Sequence, residues 1–320
     1  MTATVETPAY IELLRTIGMP GLLAGNQGNR TMELMKLAEL NKIALLYSNS
    51  LSDPDLHQDL LQRYQLLTDT VREVSALFNG NGITYSIFKT MKPFPTTPSD
   101  IDILLSREDF FNAEALLIST GYRKTANDGY TSTLTKEMNV DLQLQPSVSH
   151  LPYLSSKFLM RNTERKNLSG IDIRAPTPEA EIMVIASHCV YKEQMFTLND
   201  YYTITILAEQ VDSERLLALA REARVLEALR IVIGLCSRLT ESVFNSKLKI
   251  SEISSVLGSV NMLPIPNLPL KFPFSLVIRL LAARATKDGE MCRMVLPAIV
   301  RLASPGQLRR LFAHMKRETY

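Results

Sequence analysis

The chain has 320 residues, of which 46% are hydrophobic and 21% are charged, and its formal net charge at pH 7 is +2. These values are typical of a soluble globular protein, and the length indicates about two domains. The net charge is too small to demand a nucleic-acid partner.

Metal binding by cysteine and membrane insertion are also disfavoured. Cys189, Cys236 and Cys292 lie far apart in apolar segments, so we expect buried free thiols and no zinc site. The first residues lack a basic stretch followed by an apolar core, and no apolar run reaches the roughly 20 residues that a bilayer requires. We therefore predict a cytoplasmic protein without a membrane partner.

Helical periodicity dominates the first 80 residues. Apolar residues predict one helix from about Met32 to Leu45 and a second from Pro54 to about Phe78. Residues 79–82 (Asn-Gly-Asn-Gly) end the second helix. The segment 1–80 is thus predicted to be an N-terminal helical segment.

The pattern then changes to that of a small sheet, predicted over residues 81–150. Strands are expected at 83–88 and 101–105, followed by a helix that Ser106 and Asp109 cap and that Gly121 ends. Three shorter strands are expected at 122–124, 130–135 and 140–144. Their order is typical of a mixed sheet backed by helices.

Residues 151–320 read mainly as helix. Ile171–Ile173 is expected to add an edge strand to the sheet, and Pro178 to open a helix that runs to Glu193. The predicted fold class is α+β, with a small sheet domain, N-terminal helices and a larger C-terminal helical domain.

Acidic residues on two strands carry the chemical signal. Alternation along a strand places Asp100 and Asp102 on one face, where two carboxylates repel each other unless they are exposed or neutralised by a cation. Hard oxygen ligands suit Mg²⁺ or Mn²⁺. Such a pair also fits the solvent-exposed start of a strand, or a glycosyltransferase that holds a nucleotide-sugar through a metal.

A third acid, Asp141, lies on a later strand. If that strand is an antiparallel neighbour, the Asp141 side chain can face the first pair, which is the arrangement that two-metal phosphoryl transfer needs. Because clustered acids repel one another, replacing Asp102 by Asn is expected to leave folding intact or slightly improved.

Several of these segments together resemble a known family. The segments are 88–90 (Phe-Lys-Thr), 99–104 (Ser-Asp-Ile-Asp-Ile-Leu), 121–123 (Gly-Tyr-Arg) and 140–142 (Val-Asp-Leu). In this order they resemble the nucleotidyltransferase superfamily related to DNA polymerase β, most closely its uncharacterised microbial branch. The resemblance covers about Ile83 to Gln145, with a weaker extension from Pro178 to Asp200.

The resemblance implies an activity and roles for the acids. It implies transfer of a nucleoside monophosphate from an NTP to a hydroxyl of RNA, protein or a small molecule, with release of pyrophosphate. It further implies that Asp100 and Asp102 bind both metal ions, Mg²⁺ or Mn²⁺, and that Asp141 binds the catalytic one.

One segment departs from the family. Its members usually place glycine after the first strand, where backbone amides approach the triphosphate, whereas this chain has Lys89 and Thr90. The side chains of Lys89, Thr90, Lys92 and Ser99 are the candidate phosphate contacts in its place. The alternative is a non-catalytic relic of the fold that binds an NTP or RNA.

Other features have weaker functional interpretations. His188 is expected to be a packing residue, and Asp200 a helix cap. The C-terminal segment is basic, and it is either a solvated helical face or a contact for RNA. Its cationic residues are Arg293, Arg301, Arg309, Arg310, Lys316 and Arg317.

Overall fold

A computed structural model describes residues 8–22, 31–51, 54–148, 151–258, 264–286 and 319. It begins with the helices α1 (Ala9–Ile17), α2 (Met32–Leu40), α3 (Ala44–Ser48) and α4 (Pro54–Gly80). The single helix expected from Met32 to Leu45 is wrong, because Asn41 and Lys42 interrupt it. Lys42 has a left-handed backbone (φ 57°), which ends α2 and redirects the chain into α3.

The predicted small sheet is present and has five strands in the order β1-β2-β5-β4-β3. The strands are β1 (Tyr85–Ile87), β2 (Asp100–Leu105), β3 (Arg123–Asn127), β4 (Thr131–Thr135) and β5 (Asn139–Gln143). All neighbouring pairs are antiparallel except β2 and β5, which run parallel. The sheet is therefore mixed, as predicted.

Helix α5 (Arg107–Ser119) connects β2 to the meander of β3, β4 and β5, which begins at the sheet edge opposite β1. Ser106 caps it as predicted, since its hydroxyl accepts the amide of Asp109 at 3.1 Å. The Asp109 carboxylate in turn accepts the amide of Thr84 at 3.2 Å, which ties the cap to the residue before β1.

A separate hairpin follows the sheet. It consists of β8 (Thr163–Leu168) and β9 (Ile171–Pro176), and it comes after the short pair β6 (Ser147–Val148) and β7 (Leu151–Pro152) and helix α6 (Ser156–Arg161). The expectation that Ile171–Ile173 extends the main sheet is wrong, because the polar strand β8 pairs with it instead. The hairpin packs against α4 and β1.

The remaining described chain is mainly helical, as predicted. Its helices are α7 (Pro178–Ser187), α8 (Leu198–Ala208), α9 (Ser213–Glu222), α10 (Leu226–Phe244), α11 (Lys249–Leu257) and α12 (Phe274–Ala285). A π-helical turn (His188–Glu193) extends α7, and β10 (Met195–Phe196) pairs with β11 (Leu270–Lys271).

Two apolar clusters support these parts. One lies between the sheet, α4 and α5, and it includes Phe78, Ile103 and Leu142. The other fills the helical part of the molecule, with fully buried residues from α1, α3, α7, α8 and α10. The α+β fold class is confirmed, whereas the domain boundaries after residues 80 and 150 stay a prediction.

Candidate active site

The parallel pairing of β2 and β5 brings the three acids together. Asp102 lies directly opposite Asp141 in the register, so their side chains share one face of the sheet. One carboxylate oxygen each from Asp100, Asp102 and Asp141 lies within 4.8 Å of the others. The expectation that the strand of Asp141 runs antiparallel to the strand of the first two acids is wrong. The meander of β3, β4 and β5 brings β5 back in the same direction as β2, so the two strands are parallel.

Each acid has a different set of partners. Asp102 is buried, and its carboxylate accepts the Lys89 ammonium at 3.0 Å and a short hydrogen bond from the Gln143 side-chain amide. Asp141 accepts the Thr133 hydroxyl at 2.7 Å. Asp100, at the edge of the site, accepts the Ser99 hydroxyl at 3.3 Å.

These surroundings separate the acids electrostatically. Burial raises the pKa of Asp100 and of Asp141, and the neighbouring carboxylates add to both increases. Burial acts in the same direction on Asp102, but the charges of Lys89 and Lys192 and the hydrogen bond from Lys89 together outweigh it, so the pKa of Asp102 is lowered. The expectation that replacing Asp102 by Asn leaves folding intact or slightly improved rested on repulsion between the acids, whereas the Asp102 carboxylate has the Lys89 ammonium as a partner at 3.0 Å.

The segment after β1 forms a second wall of the site. Lys89 has a left-handed backbone (φ 62°), and its amide donates to the Glu181 carboxylate at 2.9 Å. The buried Thr90 hydroxyl accepts the backbone amide of Asp102 at 2.9 Å, which fixes the segment against β2. Thr90 thus uses its hydroxyl on the protein backbone.

A cavity of about 190 Å³ lies between these walls. Asp100 and Asp102 line it together with all four predicted phosphate contacts, Lys89, Thr90, Lys92 and Ser99. The structure thus brings these residues to one place, and their roles in binding stay predictions.

Two further lysines, which the sequence analysis did not single out, also line the cavity. Lys42 comes from the turn between α2 and α3, and Lys192 comes from the π-helical turn. The nearby Lys89 and burial lower the pKa of Lys192, and burial lowers that of Lys42. No sequence signal pointed to Lys42, because it was assigned to the interior of a helix.

Asn41 positions Lys42. Its side chain is fully buried, accepts the amide of Leu198 at 3.0 Å and donates to the carbonyl of Leu268 at 3.2 Å. These bonds join segments 157 and 227 residues away along the chain. The cavity wall is consequently built from distant parts of the sequence.

The π-helical turn places two more polar residues at the cavity. His188 and Glu193 are buried, five residues apart, with Nε2 3.1 Å from Oε1, a spacing that one π-helical turn brings together. Burial lowers the pKa of His188 to about 3, so the ring is neutral. His188 is buried as expected, with Tyr153 in edge contact with its ring.

Asp200 also lines the cavity, and its predicted role as a cap is confirmed. It forms a capping box with Thr197 at the start of α8: its carboxylate accepts the Thr197 amide at 2.9 Å, and the Thr197 hydroxyl accepts its amide.

Other sequence predictions concern cysteines, the C-terminus and membranes. Cys189 and Cys236 are buried free thiols, as expected, whereas Cys292 and the basic segment 293–317 lie outside the described residues. Within the described part of the chain, no helix combines the length and the hydropathy needed to cross a bilayer.

Sequence comparison shows which known family part of this chain is similar to. Residues 96–241 match the family described as "Uncharacterised nucleotidyltransferase". The match includes all three carboxylates, the π-helical turn and Asp200, and it confirms the predicted resemblance to nucleotidyltransferases. Comparison with curated proteins gave no match.

Comparison with solved structures gave matches to part of this chain. ANT(2")-Ia, solved in complex with adenylyl-2"-tobramycin, is 12% identical with a TM-score of 0.37, covering 49% of this chain and 96% of its own. An antigenic nucleotidyltransferase-like protein from Paracoccidioides brasiliensis is 14% identical with a TM-score of 0.39, covering 58% of this chain and 95% of its own.

Proposed function

We propose that the chain transfers a nucleoside monophosphate from an NTP to a hydroxyl group and releases pyrophosphate. The observation that carries this proposal is the cluster of Asp100, Asp102 and Asp141, two of which (Asp100 and Asp102) line a cavity that also has four lysines in its wall. Carboxylates and ammonium groups around one cavity suit a triphosphate that is bound together with divalent cations.

The three acids fit a site for Mg²⁺ or Mn²⁺. They offer only oxygen ligands, within 4.8 Å of one another, and the raised pKa values of Asp100 and Asp141 indicate negative charge that the protein itself leaves partly uncompensated. When bound, such ions would neutralise the charge that builds up on the α-phosphate.

The protein's own residues have defined tasks in this proposal. Lys89 and Lys92 bind phosphate oxygens, and Ser99 contributes a hydroxyl. The acceptor oxygen attacks the α-phosphorus, the α–β phosphoanhydride bond breaks, and the acceptor hydroxyl gives up its proton. Asp141 is the candidate to take that proton, because burial raises its pKa.

A transfer assay tests the proposal. The protein is incubated with each of the four α-labelled ribonucleoside triphosphates, Mg²⁺ or Mn²⁺, and separate pools of cellular RNA, protein and small molecules. We expect one pool to become labelled with stoichiometric release of pyrophosphate. Asp141→Asn should reduce transfer about a hundredfold or more, whereas Asp69→Asn, an exposed acid on α4, should not change it.

The second candidate function is a binding protein that has kept the fold without turnover. The observation that favours it is Lys89, which stands where the family places glycine and whose ammonium contacts Asp102. This candidate predicts that Mn²⁺ and NTP raise the melting temperature by mass action while no pool becomes labelled. If Mn²⁺ and NTP cause no stabilisation and no pool becomes labelled, both candidate functions are contradicted.

A further inference from the structure

Residues 88–90, called here the Lys89 turn, have at Lys89 a backbone conformation that normally requires glycine. Lys89 lies two residues after the buried strand β1, and its φ of 62° lies in the left-handed region that side chains disfavour. The resemblance to nucleotidyltransferases implies glycine at this place. The chain thus keeps a glycine-like conformation while adding an ammonium group to the cavity.

A buried carboxyl group on α7 stabilises this conformation. Glu181 is 5% exposed, and its Oε1 accepts the backbone amide of Lys89 at 2.9 Å. Its own amide donates to the carbonyl of Thr177 at 2.9 Å, and the Thr177 hydroxyl caps α7. Glu181 therefore sits on a well-anchored first turn.

The second carboxyl oxygen of Glu181 indicates that this residue does more than pack against its neighbours. Oε2 is buried and has no hydrogen-bond partner among the described residues. A half-satisfied buried carboxyl group opposes folding, and such groups in native proteins call for an explanation. Fixing the Lys89 turn supplies one, because that turn directs the Lys89 ammonium to 3.0 Å from Asp102.

We propose that Glu181 is a positioning residue that holds the Lys89 turn in the conformation needed to bind the triphosphate of the nucleotide. The inference rests on the proposed function. Glu181 acts only through Lys89: it fixes the backbone so that the ammonium lies between the carboxylates and the phosphates.

The inference is tested with a double-mutant cycle. Binding of ATP, CTP, GTP and UTP with Mg²⁺, and of inorganic tripolyphosphate as a probe without a base, is measured by calorimetry. Glu181→Met should weaken binding about tenfold, because the backbone amide of Lys89 loses its carboxylate acceptor. Glu181→Gln retains an acceptor oxygen and should bind within about threefold of wild type.

In a Lys89→Ala background, Glu181→Met should cause no further loss of binding. Glu181→Asp withdraws the carboxyl group by one methylene and should behave like Glu181→Met, which keeps the test decisive if the methionine variant does not fold. Glu179→Met is the matched control, since Glu179 is equally buried on the same helix but pairs with Arg215.

The outcomes are distinct. Unchanged binding in both Glu181→Met and Glu181→Asp overturns the inference, and so does a loss that persists without Lys89. A loss of the same size in Glu179→Met would mean that helix packing alone is responsible, which also overturns it. If the wild-type protein binds none of the probes, the proposed function itself fails, and the positioning role fails with it.

Discussion

Replacing Asp102 by Asn should destabilise the protein in the absence of metal. The side chains of Lys89 and Asp102 are 9% and 12% exposed, and their charged atoms are 3.0 Å apart. Removing one partner of a buried ion pair leaves the other charge uncompensated, which costs about 3–5 kcal/mol. Since the pair faces a cavity that water can enter, we expect the lower end of this range, about 3 kcal/mol.

The prediction is checked by urea unfolding in EDTA, with the free energy taken from transitions of equal slope. Asp141→Asn is the matched control, because Asp141 is paired with a hydroxyl and its pKa is raised rather than lowered. A neutral side chain there should change the unfolding free energy by less than about 1 kcal/mol. The double variant Lys89→Met/Asp102→Asn should recover much of the loss.

Two results would refute this reasoning. Asp102→Asn could be as stable as wild type, which would mean that Lys89 gains little from the carboxylate. Alternatively, it could lose no more stability than Asp141→Asn, which would mean that the acids behave alike and that the pairing has no special energetic role.

Three further predictions follow from the same region. Lys89→Gly should be more stable to urea than Lys89→Ala by about 1 kcal/mol, since both lack the ammonium and only glycine accepts the left-handed backbone without strain. Equal stabilities would contradict a strained turn. Because the pKa of His188 is lowered to about 3, only the unfolded chain takes up its proton as the pH falls below its ordinary value. Wild type should therefore lose about 1.4 kcal/mol more than His188→Asn between pH 7.5 and 5.5 in urea titrations, and parallel losses would argue for a charged ring. Finally, protons should compete with Mn²⁺ for Asp100 and Asp141, because the pKa values of both acids are raised. Calorimetry should therefore show weaker Mn²⁺ binding at pH 5.5 than at pH 7.5. An affinity that does not change with pH would exclude these acids as ligands.

Local patterns were sufficient for the strands that carry the acids. Alternation predicted β2 and β5, and the capping signal of Ser106 predicted the start of α5. The direction of β5 could not be predicted, because the strand pattern is the same whether its neighbour is parallel or antiparallel. The relation between β2 and β5 is fixed instead by the connection through α5 and the meander.

The pairing of charges in the site could not be predicted from the sequence, for a different reason. Asp100 and Asp102 were recognisable as a pair, but the neutralising contact of Lys89 depends on a left-handed turn that residue type argued against. Lys42 and Lys192 reach the cavity through a helix break and a π-helical turn, neither of which helical periodicity reveals. Long-range contacts such as those of Asn41 leave no local pattern.

The edge position of β1 has a consequence for fragments of this protein. The family match begins at residue 96, whereas β1 and the Lys89 turn lie upstream of it. A fragment cut at the limits of the match would leave β2, whose last five residues are buried, as an unprotected sheet edge. Such an edge invites pairing between copies, so the excised region should self-associate even though it contains all three carboxylates.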